Sequence, residues 1–440
     1  MKSRNKLVLV IASLILPALA CFSGGGTTPA GPPDPGAVET SVAATMTAMA
    51  AAITDTPVPP PVPAVLRVAF VDGGDLWLWM EGIPAVELHD DAFDVGDVRL
   101  SDDGQVIAFS LVDNYDFRGL WAINTDGSSL RMLVDAPTIN SMSADPSALG
   151  ANPWRWDFVP GSHTLAFNTH LVFDGPGLAI QNDLRLLNAD TSALSTLLAP
   201  GDGGEFYYSP EGSQIAIVTP TDISLINADG SNRRDAVLTY ASVMTYSEYQ
   251  YYAVPRWSTD GSQLRVVIPS PDMMDPAATI EVFEIPLDGT PPVSVGLTAA
   301  FPPLFVQEST LSPDLSKVAF TRRVGAAGSN TVELHFVEPA TGTMSLYYTG
   351  TNVEFENWSP GGTHFVYAEG SARYMGALGG GSGLVAGLAD VRKVVWIDAT
   401  RYLFTNGSTG SWQLQLGVLG GSTTFIVSPA ADFVTFDFSY

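Results

Sequence analysis

One short arrangement returns along most of this chain: a bulky apolar residue, a Ser-Pro-acid-Gly turn or a worn copy of it, then an apolar strand. It reads VRLSDDGQVIAF from Val98, FYYSPEGSQIAIV from Phe206, PRWSTDGSQLRVV from Pro255, STLSPDLSKVAF from Ser309 and FENWSPGGTHFV from Phe355. The turn chemistry explains the choice of residues. Proline presets φ, the acid bonds nearby backbone, and glycine takes the positive φ that closes the hairpin. A third strand, a second Asp-Gly turn and a fourth strand follow, as in GLWAIN, TDG and SSLRMLV after the first copy. Such a module is a four-stranded antiparallel meander.

The turn positions Gly104, Gly161, Gly212, Gly261, Leu315 and Gly362 recur every 47–57 residues. A period near 50 with four strands per repeat is the pattern of β-propeller blades, which bury their two apolar faces by stacking around an axis. The residues just before the turn (Leu100, Phe158, Tyr208, Trp257, Leu311, Trp358 and Trp396) are all large and are expected to pack between blades. Seven modules start near residues 97, 153, 204, 253, 306, 352 and 392. Residues 66–88 supply three further strands, and ADFVTFDFSY at the C-terminus offers the missing first one. The expected fold is therefore all-β, a single propeller over residues 65–440. It has eight blades closed by the two chain ends, or seven if the Gly-rich stretch Gly376–Asp390 leaves its module incomplete.

An aromatic residue, Ser-Pro-Asp-Gly and an Ile-Ala-Phe-like strand are the hallmark of the TolB-like propeller family. This chain resembles that family best at YSPEG, Tyr208–Gly212, and at LSPDL with VAF, Leu311–Phe320. The resemblance spans roughly residues 66–436 and implies the fold far more than any activity. The family's namesake carries an α/β domain ahead of its propeller, where this chain has a linker.

Ahead of the repeats, Lys2, Arg4 and Lys6 precede an apolar run from Leu7 to Ala20. Its 14 residues fall short of the roughly 20 that a spanning helix needs, and it reads as a secretory signal over residues 1–20. Cys21, the only cysteine, follows directly and resembles the lipid-modified cysteine of bacterial lipoproteins. Ala18 and Ala20 also satisfy a small-x-small site for ordinary cleavage, so export is expected on either route. Residues 21–64 are rich in Pro, Gly, Ala and Thr and read as a linker. Val38, Val42, Met46, Met49 and Ile53 fall at helical spacing within it, as a spacer or a short docking helix. The expected address is the extracytoplasmic face of a membrane, with the lipid as sole anchor, or the secreted medium.

A formal charge of −26, from 46 acids against 20 bases, argues against nucleic acid as a partner and against direct adhesion to anionic lipid. No Gly-x-Ser-x-Gly elbow, paired metal-ligand histidines or Asp box is present, so no catalytic residue is assigned and no cofactor is expected. The carboxylates of Asp72–Asp75 and Asp90–Asp97 are dense enough for Ca²⁺ but lack a known loop spacing.

Three features are candidate binding surfaces. Tyr240, Tyr246, Tyr249, Tyr251 and Tyr252 crowd one connection, and they either recognise a partner or pack on the blades beside them. Arg99 and Arg256 lie two residues before turn serines, where first strands would line the channel; they would hold an anion or pair with an acid across blades. Residues 135–156 form an insertion too long for a blade connection, ending in Trp154 and Trp156. The expected function is a non-catalytic module that binds an envelope or extracellular protein or peptide. A glycan-binding accessory is the alternative, and a propeller hydrolase or lyase a further one, which a channel carboxylate of raised pKa would favour.

Overall fold

The computed structural model describes residues 65–114, 116–174, 179–243, 251–272, 279–299, 311–325, 328–408, 411–428 and 435–440. These form eight antiparallel sheets, the blades of a β-propeller. Blade 1 joins the chain ends: Phe436–Ser439 pairs with Arg67–Asp72, which continues into Asp75–Met80 and Ile83–His89. Blades 2, 4, 5, 7 and 8 take their four strands consecutively from the chain. Blade 3 carries a short extra strand, Ala179–Ile180. In blade 6 three strands are described, and ahead of them Leu311 bridges to Val318. The Gly-rich stretch does complete its blade, because Ser382–Leu384 pairs with Ala372–Ala377. The count is eight.

The core shows why the ring closes. Buried residues fall into eight apolar clusters, and each joins residues of two successive blades. The last joins blade 8 to blade 1 through Leu403, Leu414, Val68, Phe70 and Phe436. Of the seven large residues before the turns, Leu100, Phe158, Trp257, Leu311, Trp358 and Trp396 are buried and Tyr208 is half-buried.

The turn serine has a definite task. Ser209 is fully buried; its carbonyl accepts from the Gly212 N–H and its hydroxyl from the Gln214 N–H, fixing the start of the next strand. Ser101, Ser312 and Ser359 repeat both bonds. Gly212 adopts φ +72°, and Leu315 takes a comparable +59° where blade 6 lacks the glycine.

The insertion before blade 3 is shorter than the sequence suggests. Its first part is a one-turn helix, Ala136–Asn140, capped by the Asp135 carboxylate on the Thr138 N–H. Its second part is the long first strand of blade 3 itself, Gly150–Phe158.

Candidate functional site

Fourth strands are largely exposed, so the first strands are innermost. Along these, the residue two before the turn serine pairs with the middle of the second strand: Arg99 with Ala108, Asp157 with Ala166, Tyr207 with Ala216, and Asn357 with Val366. In blade 1 the equivalent residue is Asp437, opposite Ala69. Around the channel the wall thus reads Asp437, Arg99, Asp157, Tyr207, Arg256, then Asn357 and Val395 in blades 7 and 8; Thr310 of blade 6 lies outside the described residues.

Blades 2, 3 and 4 together shape a cavity of about 530 Å³ in this wall. Asp97 and Arg99 come from blade 2, Trp154 to Asp157 from blade 3, and Glu205 and Tyr207 from blade 4. Tyr252 closes it from the connection to blade 5. Bulges between Val95 and Val98 and between Pro153 and Trp156 interrupt the inner strands of blades 2 and 3, so that Trp154 to Asp157 all reach the cavity. Glu205 and Tyr207 share a face of the regular strand in blade 4.

The charges are arranged in a frame. The Arg99 guanidinium donates to Asp97 Oδ1 at 2.9 Å and to the Val98 carbonyl at 2.8 Å, and lies 5.1 Å from the Trp156 ring centroid. Arg155 lies 4.4 Å over Tyr207 and 3.8 Å from Glu205 Oε2. The Trp154 indole N–H donates to Glu205 Oε1 at 2.7 Å, leaving the Trp154 side chain 44% exposed, whereas Trp156 is 6% exposed. Tyr252 donates to Asn182 Oδ1 at 3.1 Å.

Asp157 differs from the other acids. Its side chain is open to solvent on one side and crowded by protein atoms on the others. That burial raises its pKa above the ordinary carboxylate range despite nearby Arg99 and Arg155. One oxygen accepts from the Phe158 N–H at 2.8 Å, and no basic nitrogen among the described residues lies within 4 Å of the group. Asp437 is likewise pushed up, to about 6, by burial and by Asp157, while its Oδ2 accepts from the Leu100 N–H at 2.7 Å. Burial pulls Arg99 down, but Asp97, Asp157 and Asp437 outweigh it and hold it above its usual value. Lys393 is depressed by burial and sits 4.3 Å over the Phe436 ring.

The expected site residues separate into groups. Arg99, Trp154, Trp156 and Tyr252 line one cavity. Arg99 pairs within its own strand rather than across blades, and its neighbours leave it already engaged. Arg256 stands half-buried in the wall with no acid within ion-pair distance among the described residues, its pKa lowered by burial. Tyr240 and Tyr251 pack into the cluster between blades 4 and 5, with the Tyr240 hydroxyl on the Thr219 carbonyl and Tyr251 9% exposed. Tyr246 and Tyr249 lie outside the described residues, as do Cys21 and the linker. Asp157, Arg155, Glu205 and Asp437 were not singled out as sites; their place before each turn was the available signal. Among the described residues no three His, Cys, Asp or Glu side chains converge as metal ligands, the Asp72–Asp97 segment included.

No protein-family model matches the chain, and no curated protein matches it in sequence. Its likeness is to solved propellers. A eukaryotic initiation factor superposes with TM-score 0.50 at 10% identity, covering 84% of this chain and 98% of that one. TolB from Acinetobacter baumannii gives 0.36 at 12%, covering 85% and 67%. An oligogalacturonate lyase from Vibrio parahaemolyticus gives 0.42 at 13%, covering 67% and 80%. Identities this low speak to the β-propeller fold alone.

Proposed function

We propose that this chain is an exported, lipid-anchored propeller that acts without catalysis, holding a protein or peptide at the cell envelope in the cavity of blades 2, 3 and 4. The observation behind this reading is the preformed frame itself. Five charged side chains and four aromatic ones converge from three blades and a connection, and the rigid ring fixes them before any ligand arrives. The exposed Trp154 ring gives such a site an aromatic anchor of the kind that dominates recognition surfaces. The Cys21 signal supplies the anchor, and the linker supplies reach.

The test is photo-crosslinking of the full-length chain in native envelope, with the crosslinker beside the cavity. One dominant protein adduct is expected, lost in a Trp154→Ala, Tyr252→Ala double variant whose thermal transition is unchanged. An adduct that persists in that variant would remove the site from the proposal. Retention of a Cys21→Ser variant in the membrane fraction would remove the anchor.

A second reading, action on an oligosaccharide, is favoured by the raised pKa of Asp157, which suits a general acid. Against it, the raised carboxyl nearest in the wall, Asp437, is tied to backbone N–H groups of Leu100 and Phe438 rather than held free opposite it. Turnover of oligosaccharides lost in Asp157→Asn would establish that reading instead.

A further inference from the structure

The charges of the cavity do not cancel. Its lining holds Asp97, Asp157 and Glu205 against Arg99 and Arg155. Arg99 is hydrogen-bonded to Asp97 at 2.9 Å, and Arg155 lies 3.8 Å from Glu205, which also accepts from Trp154. Those two pairs neutralise one another and leave Asp157. Just beyond the lining, Lys393 and Asp437 add one charge of each sign, so the surplus stays negative. Asp157 has a backbone N–H on one oxygen, no basic partner within 4 Å among the described residues, and a solvent-exposed side chain that a ligand can reach. Both guanidiniums stack on ring faces, Trp156 and Tyr207, whereas the Trp154 ring, edge-on to His170 at 5.8 Å and with its nitrogen on Glu205, remains 44% exposed. An anion would meet Asp157 and Glu205, and both cations of the lining are already engaged, Arg99 by Asp97 and Arg155 by Glu205. Arg256, with no acid within ion-pair distance among the described residues, stands one blade beyond the lining. A neutral ligand would leave the surplus charge unpaired. A cation completes the arrangement, facing a carboxylate and an aromatic surface, and the net charge of −26 would draw it in.

We infer that the cavity takes a positively charged group, an alkylammonium or guanidinium, with Asp157 as its counter-charge and Trp154 as its aromatic wall. This deepens the binding reading above by naming the chemistry of what enters. Such a cation is carried by a lysine or arginine side chain of a peptide or by a free polyamine, and the two sources are separable.

The probes are a blocked tri-lysine peptide, its norleucine counterpart and spermidine, titrated into the purified full-length chain with tryptophan fluorescence as readout. The expected result is saturable binding of the lysine peptide at least tenfold tighter than that of norleucine, weakening with added salt. Asp157→Asn keeps an acceptor for the Phe158 N–H and is expected to lose at least tenfold in affinity. The surface control Asp126→Asn, far less crowded, should leave affinity unchanged and so separates the cavity from the diffuse charge of the protein. Trp154→Leu should weaken binding several-fold, giving a second variant if the first folds poorly. Peptide bound better than spermidine assigns the cation to a protein; spermidine bound equally or better assigns it to a polyamine. Equal binding of lysine and norleucine peptides, an unchanged affinity in Asp157→Asn, or binding of neutral oligosaccharides alone would overturn the inference. If envelope crosslinking is lost in the Trp154→Ala, Tyr252→Ala variant while no cation binds, the binding reading stands and this inference fails by itself.

Discussion

The channel wall is built from one repeated position, yet its two sides differ in what that position does. On blades 1 to 3 it holds Asp437, Arg99 and Asp157, with Asp97 and Arg155 two residues earlier on the strands of Arg99 and Asp157, and Lys393 at the blade 8 border. On blades 7 and 8 it holds Asn357 and Val395. Asn357 turns its amide onto the Val394 carbonyl of the next blade at 3.1 Å, and behind it Trp358, Phe365, Phe355 and Tyr367 form a run of ring contacts. The neutral side spends the donor of its one polar wall residue between blades and puts its aromatics into packing. The charged side leaves a carboxylate short of a partner and one indole open. A repeat therefore specifies the frame, and departures from it at equivalent positions mark where something other than folding constrains the residue.

The strongest way to sharpen that contrast is to damage the neutral side. Phe365 is fully buried and meets Phe336, Tyr347, Trp358 and Tyr367. Phe365→Ala should cost about 3–5 kcal/mol, combining lost transfer energy with the cavity left behind. Chemical denaturation would measure it. Crosslinking and cation binding below the unfolding transition should match the parent. If both fell, the two sides would be coupled and the contrast would fail.

The charged side carries its own pH signature. Asp437 stands at about 6 when folded against an ordinary 3.8, so the folded chain holds that proton more tightly than the unfolded one. Its contribution is fully favourable below about pH 4 and is lost as pH rises through 6, because ionising it means burying a charge beside Asp157 that Arg99 and Lys393 offset only in part. Asn mimics the protonated form and can still accept from the Leu100 N–H. Asp437→Asn should therefore match the parent near pH 4 and exceed its stability at pH 7.5 by on the order of 2 kcal/mol. Urea unfolding of both at the two pH values decides it. A pH-independent difference would mean that the neighbouring cations fully neutralise the carboxylate.

The fold was legible because turn chemistry repeats: five copies of the serine turn set the period, and the odd strand count at the N-terminus called for a closing strand from the C-terminus. The site was legible only in pieces. Arg99, Trp154, Trp156 and Tyr252 could be picked out as unusual types in unusual places, but nothing local says that three blades bring them together. Asp437 escaped because its strand belongs to blade 1 while lying at the far end of the chain. For Tyr240 and Tyr251 the sequence left recognition and packing open, and the structure shows packing: the Tyr240 hydroxyl is satisfied on the Thr219 carbonyl, and both rings join the core between blades 4 and 5. Arg155 and Glu205 became visible only through their contacts, since in a chain with 46 acids a single Glu carries no signal.

The smallest expected effect tests whether the neutral side is tied together by its polar wall residue at all. The Asn357 amide donates to Val394, but its buried Oδ1 finds no partner among the described residues. Replacing it with alanine removes one bond between blades and one unsatisfied acceptor together, so the two terms partly cancel. Asn357→Ala should cost about 1 kcal/mol or less and leave cation binding untouched. Asn357→Asp removes the donor and sets a carboxylate against the Val394 carbonyl, so it should cost more than alanine does. A larger loss for alanine than for aspartate in side-by-side urea melts would show that Asn357 acts through packing rather than through its bond, and the neutral wall would then be a continuation of the core.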